Sequence, residues 1–158
     1  MPIHTIPPVW DEHSHTLILG SFPSVKSRET AFFYGHPQNR FWRVTAAVFD
    51  APVPQSVCEK RDFLVSHGLA LWDVIASCDI EGSADSTIRN VHPNDIAWLL
   101  AAAPVTRIFT NGKTAHSLYG KYLLTTVGRE AFCLPSTSPA NASCSLGDLI
   151  EAWRVLLP

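Results

Sequence analysis

Four short blocks of the chain are almost wholly apolar, and each runs into small or polar residues. "HTLILGS" (15–21) leads into "FPS", "LALWDVI" (69–75) carries Asp73, "VTRIFTNG" (105–112) turns at Gly112, and "EAFCLPSTSPANAS" (130–143) breaks into a Ser/Pro/Asn loop. Short apolar runs bounded by turn formers predict strands, the first two of them buried. Between them the apolar spacing lengthens to that of helices. "NRFWRVTAAVFD" (39–50) sets Phe41, Val44 and Val48 on one face, "SVCEKRDFLVSHG" (56–68) stops at Gly68, and Pro93 and Asn94 open "DIAWLLAAA", which Pro104 ends. "KTAHSLYGKYL" and "SLGDLIEAWRVLL" (145–157) complete the helices, and "SCDIEGSADSTIRNVHPN" reads as a polar loop.

Strands alternating with helices predict an α/β fold: three layers, α/β/α, around a central, mostly parallel four-stranded sheet. The expected organisation is one domain over 1–158, with 1–14 as an extended N-terminal segment. Ligands of such sheets bind outside the carboxyl ends of the strands. That rule gathers Gly20–Ser24, Asp73, Asn111–Gly112 and Ser136–Asn141 on a single rim.

A length of 158 residues suits one domain, and 46% hydrophobic with 16% charged residues indicates a compact chain rather than a disordered one. The longest apolar run, "IAWLLAAAPV" (96–105), is too short to span a bilayer, and the N-terminus lacks the basic start and apolar run of a secretory signal. The expectation is a cytoplasmic protein, nucleoid-associated in a bacterium, with no membrane partner. Cys58, Cys78, Cys133 and Cys144 contain no C-x-x-C pair, which speaks for free thiols and against a zinc ribbon or redox dithiol. A net charge of −2 carries little information about nucleic acid, because Lys26, Arg28, Arg40 and Arg43 crowd the N-terminal third while Asp79, Glu81 and Asp85 gather elsewhere.

Several chemistries lack their motifs. No G-x-G-x-x-G follows the first strand, no phosphate-cradling G-x-x-x-x-G-K-[ST] is present, and "STSP" has no G-x-S-x-G elbow. His4, His13 and His15 form no H-E-x-x-H, and a solvated terminus accounts for them. No metal and no cofactor are expected.

The segments "GSFPSVKSRE", "HPQNRFW", "ALWDVIASCDIEGS", "IFTNGKTAH" and "LPSTSPAN" together resemble the uracil-DNA glycosylase superfamily. H-P-x-N-R-F-W is similar to the mismatch-specific uracil branch, and the joint pattern is closest to the hypoxanthine-DNA (deoxyinosine) glycosylase branch. The resemblance runs from about Leu17 to Trp153. It implies a monofunctional base-excision enzyme that hydrolyses the N-glycosidic bond of a deaminated base flipped out of DNA: hypoxanthine, with uracil or xanthine as further candidates. A flipped base needs an aromatic floor, hydrogen-bonding groups for its edge and a means of holding the duplex open. Alternatives in the same fold are a mismatch uracil-DNA glycosylase and a catalytically silent nucleic-acid-binding module. DNA bearing a deaminated base is the expected partner, and a monomer the expected state.

The resemblance also implies roles. Tyr34, or Phe33 in its place, is the stacking aromatic; Gly20, Ser21, Phe22, Asp73 and Asn111 line the base site. Many relatives carry Asp or Asn at the position of Phe22, so the polar role passes to Asn39. Read from the residues alone, Asn39 is equally a helix cap accepting from the backbone of Phe41 or Trp42, and Phe41 and Trp42 are core. Asp73 is a base reader or an organiser of its loop. Lys26 and Arg40, with Ser136, Ser138, Pro139, Ala140 and Asn141 of the last loop, are the expected DNA contacts.

Overall fold

A computed structural model describes residues 6–30, 32–82 and 84–158, apart from the side chains of Lys26 and Thr30. Four strands form a parallel sheet in the order β2-β1-β5-β6: β1 Thr16–Gly20, β2 Leu69–Asp73, β5 Arg107–Asn111 and β6 Phe132–Leu134. The predicted three-layer α/β fold is what is found. Gly20 at the tip of β1 stands opposite Asp73 at the tip of β2, and Asn111 at the tip of β5 stands opposite Leu134.

β1 is central because it is apolar on both sides. Ile18 packs with α2 (Phe41–Val48), α3 (Val57–Ser66) and α7 (Leu146–Trp153) through Phe41, Val44, Leu64, Leu149 and Trp153. Leu17 and Leu19 pack on the opposite face with α4 (Ile96–Ala102) and α5 (Lys113–Tyr122) through Ile96, Leu99 and Tyr119. Burying both faces is what a parallel strand covered by crossover helices demands.

Local chemistry sets the helix ends. Ser56 and Glu59 form a reciprocal capping box at α3, Gly68 takes a φ of 69° just after it, and Ser145 with Asp148 repeats the box at α7. At the amino end, Ile6 and Val9 are buried and Val9 bridges Leu71 in antiparallel sense, covering the edge of β2; residues 1–5 of the expected N-terminal segment lie outside the described residues.

The polar loop expected after β2 is instead a hairpin. β3 (Ile75–Asp79) and β4 (Arg89–Pro93) pair antiparallel with two register shifts, and a single 3-10 turn, Asp85–Thr87, sits at the far end. Two further elements were not anticipated: α1 (Val25–Thr30), directly after the β1 loop, and the one-turn α6 (Leu124–Val127). No helix among the described residues is long and apolar enough to cross a membrane.

Candidate active site

The chain leaves β1 toward β2 on one side and reaches β5 on the other, so the crevice between the tips of β1 and β5 is the switch point of the sheet. A cavity of about 250 Å³ opens there, lined by Gly20, Ser21 and Phe22 after β1, Phe33, Tyr34 and Asn39 before α2, Asp73, Asn111, and Ser136, Thr137, Ser138 and Ala140 after β6. Most of the rim expected from the strand order therefore lines one cavity; Gly112, Pro139 and Asn141 do not.

Gly20 is the floor. A Cβ there would overlap Asp73 Oδ1 and lie 2.9 Å from the Tyr34 hydroxyl, so both groups close over the strand tip because position 20 has no side chain. Asp73 is only 3% exposed. The Tyr34 hydroxyl is buried without hydrogen-bonding geometry to any described partner. Its own burial and then the Asp73 carboxylate raise its pKa, a nearby Asn111 amide offsetting this in part, so Tyr34 stays a neutral phenol.

Tyr34 also holds a φ of +52°, a left-handed value that a bulky residue rarely adopts. That turn lays its ring on Phe41, centroids 4.3 Å apart and 18° from parallel, and Phe41 in turn meets Trp153 edge-on at 5.8 Å. Tyr34 thus presents a ring already backed by the core. Phe33 is buried against Phe32 at 5.6 Å and still reaches the cavity wall.

Asn39 carries the most defined geometry. Its Oδ1 accepts from the Phe41 N–H at 3.0 Å and from the Thr137 hydroxyl at 2.9 Å. The bond from the Phe41 N–H is present, although Arg40 and not Asn39 stands at the helix N-cap, and the Asn39 side chain lies on the cavity wall. Because both donors address the oxygen, the carboxamide has a fixed sense, and its NH₂ end has no hydrogen-bond acceptor among the described residues.

Thr137 is the hub that sequence reasoning passed over. Its hydroxyl also accepts from Asn111 Nδ2 at 3.0 Å, its N–H donates to Asn111 Oδ1 at 3.0 Å, and its carbonyl accepts from the Arg40 N–H at 3.0 Å. A single buried hydroxyl thereby locks the carboxamides of Asn39 and Asn111. The signal in the sequence was the middle position of "STS", between the two serines singled out.

The last loop is built from its own side chains. Ser136 Oγ accepts from the Ser138 N–H at 3.1 Å, Ser138 Oγ accepts from the Ala140 N–H at 3.1 Å, and Asn141 Nδ2 donates to the Ser136 carbonyl at 3.0 Å. Neither serine hydroxyl donates to a partner among the described residues. Ala140 lines the cavity, Pro139 is exposed, and Asn141 is turned into the loop. The Arg40 guanidinium, one of the expected DNA contacts, donates to the carbonyls of Cys144 at 2.6 Å and of Ser138 and Asn141 at 3.0 Å each, while its Nε has no partner among the described residues. The Lys26 side chain lies outside the described part of the structure.

Asp85, grouped by sequence with Asp79 and Glu81 apart from the basic residues of the N-terminal third, lines the same cavity from the hairpin turn. The residue is exposed at the mouth, yet crowding of its carboxyl raises the pKa, helped by Asp73 and opposed by the Thr114 and Ser21 hydroxyls. Among the described residues no group of three His, Cys, Asp or Glu side chains gathers to hold a metal.

The arrangement can take a flat heterocycle: aromatic wall, amide donors, a buried carboxylate and hydroxyls, in a volume below the roughly 300–1,000 Å³ of drug-sized pockets. A family model described as the Uracil DNA glycosylase superfamily matches residues 7–157. A protein of Methanosarcina acetivorans named hypoxanthine DNA glycosylase is 37% identical over 139 residues, 85% of each chain. Its namesake from Methanosarcina barkeri is 34% identical over the same length and coverage. The solution NMR structure of a candidate uracil DNA glycosylase from Methanosarcina acetivorans superposes with a TM-score of 0.79 at 34% identity, covering 96% of each chain.

Proposed function

The chain belongs to the uracil DNA glycosylase superfamily, and from that premise we propose that it is a monofunctional DNA glycosylase of base-excision repair, releasing hypoxanthine from DNA. The base, flipped from the duplex, enters the cavity edge first. Tyr34 and Phe33 supply the aromatic wall. The Asp73 carboxylate accepts the lactam N–H that deamination creates, a position where adenine offers a lone pair and is repelled. Ser136 and Ser138 donate to backbone phosphate, which fixes register without reading sequence.

Asn39 acts as a donor. Its oxygen is engaged twice, so only the NH₂ end is free to meet substrate, and an amide nitrogen takes no proton from water. The group binds an acceptor on the departing base, and its bond strengthens as electrons move into that base. Preorganised donors of this kind act most strongly in a site shielded from water. Phe22, at the mouth, contributes an apolar wall and no polarity.

The observation that carries the reading is the Asn39–Thr137 hydrogen bond, which joins the loop before α2 to the loop after β6 beneath one base-sized cavity. A deoxyinosine oligonucleotide should yield alkali-labile abasic sites under single-turnover conditions, and Asn39→Ala should slow their formation at least about a hundredfold. Xanthine and uracil present the same lactam edge and belong in the same assay. Salt-dependent DNA binding with no abasic product from any lesion would make the protein a silent binding module. The same reading places the protein as a monomer wherever the cell keeps its DNA, and sedimentation checks the first part.

A further inference from the structure

The cavity holds two carboxylates, Asp73 and Asp85, and no lysine, arginine or histidine lines it among the described residues. A base departing as an anion would meet negative charge and no cation. The repulsion disappears if the base leaves neutral, which requires a proton at the moment the bond breaks. Two groups in the wall carry a carboxyl that could hold one. Asp73 is 3% exposed beneath the Gly20 tip, cut off from solvent, whereas Asp85 stands at the mouth and can be recharged from water between turnovers. The hairpin turn that presents Asp85 is anchored to α1, the Arg28 guanidinium donating to the Gly82 carbonyl at 2.8 Å while lying 5.4 Å from the centre of the Phe22 ring.

We propose that Asp85 is the general acid of the site, giving its carboxyl proton to ring nitrogen N7 of a purine lesion as the glycosidic bond breaks. The inference rests on the glycosylase reading above and names its substrate class: purines carry a basic N7, and uracil has no ring nitrogen with a free lone pair. The C1′–N9 bond breaks and its electron pair passes into the purine; the Asp85 O–H bond breaks and an N7–H bond forms. Water then adds to the sugar cation at C1′, and the proton it loses restores the carboxyl. The sum is hydrolysis.

The groups facing Asp85 suit an acid. From β2 comes the Asp73 carboxylate, from α5 the Thr114 hydroxyl and from the β1 loop Ser21; crowding and the Asp73 charge outweigh the two hydroxyls, so the proton is retained to higher pH than on a free side chain. Above its pKa the acid form falls tenfold per pH unit, and the rate of hypoxanthine release should follow.

The test compares single-turnover release from oligonucleotides carrying 2′-deoxyinosine and 7-deaza-2′-deoxyinosine, by wild type and Asp85→Asn, between pH 4.5 and 8.5. We expect the wild-type rate on deoxyinosine to fall through this range, Asp85→Asn to lose at least about tenfold at the acid end and to show no such fall, and the gap between the two substrates to shrink in the variant. Asp85→Asn should be at least as stable as wild type near neutral pH: a carboxyl whose pKa is raised by folding stabilises at low pH and loses that contribution as pH rises through the folded value. A fall that persists in Asp85→Asn, or an unchanged gap between the substrates in a folded variant, overturns the proposal while leaving the glycosylase activity standing. No base released from either substrate by wild type overturns both.

Discussion

Replacing Thr137 by valine keeps the shape of a buried side chain and removes the hydroxyl that holds both carboxamides. In the wild-type protein that hydroxyl donates to Asn39 Oδ1 at 2.9 Å and accepts from Asn111 Nδ2 at 3.0 Å. After the change, among the bonds to described residues, Asn39 Oδ1 keeps that from the Phe41 N–H and Asn111 keeps the bond its oxygen accepts from the Thr137 N–H. The two lost bonds are worth about 2 kcal/mol net together, and stranding a partly buried amide donor raises the total to roughly 3 kcal/mol or more. Urea denaturation should register that loss as a lower midpoint at constant slope.

Activity should respond differently. With one donor gone, the Asn39 carboxamide can rotate about its last bond, and its NH₂ end no longer has one assigned direction. If the misorientation removes about 1.4 kcal/mol of transition-state stabilisation, single-turnover release slows about tenfold. Thr137→Ser keeps the hydroxyl and loses only a methyl group, so it should retain most of the rate while sharing some of the stability loss. Two outcomes refute the reasoning. Thr137→Val with wild-type rate would show that Asn39 needs no such support, and a serine variant as slow as the valine variant would show that the methyl group matters rather than the hydroxyl.

Two other substitutions separate floor from frame. Gly20→Ala forces a methyl group into Asp73 Oδ1 and against the Tyr34 hydroxyl, so it should abolish release of the base, and a thermal melt showing a folded protein would localise the damage to the cavity. Arg40→Lys gives up the planar fork that reaches three carbonyls across the last loop; it should lower stability and rate together yet leave the salt slope of DNA binding unchanged, whereas a slope reduced by about one would return Arg40 to the phosphates.

The parts of the fold that could be read from the chain are those whose cause is local. β1, β2 and β5 are short apolar runs because each is buried, on both faces in the case of β1, and nothing outside the run is needed to recognise that. α1 escaped notice because "VKSRET" has no apolar stripe; a turn of helix stands there on the strength of the Ser24 and Ser27 hydroxyls, 3.1 Å apart, and of Ser27 Oγ accepting from the Gly35 N–H at 2.9 Å. The β3–β4 hairpin escaped it because β3 is only partly buried, β4 is largely exposed, and two register shifts erase the alternation that marks a strand.

The same distinction governs the site. Gly20, Asp73 and Asn111 could be placed together from strand order, since a parallel sheet delivers its carboxyl ends to one edge whatever the side chains are. Thr137 and Asp85 could not, because their parts depend on meetings between distant segments. The Thr137–Asn39 bond spans 98 residues, and Asp85 reaches the mouth only because an unrecognised hairpin folds back over the β1 loop, its turn held by Arg28 from 54 residues away. Polar residues in loops carry no periodicity, so a chain can state which strands end at a cavity and still conceal which hydroxyl or carboxyl completes it. Family likeness narrows that gap at Asn39, where a motif marks the position, and leaves it open at Asp85, where only the fold brings a second carboxyl to the cavity. A variant pair at those two positions would therefore weigh inherited chemistry against chemistry assembled by the hairpin: loss at Asn39 should slow every substrate, and loss at Asp85 should slow purines alone.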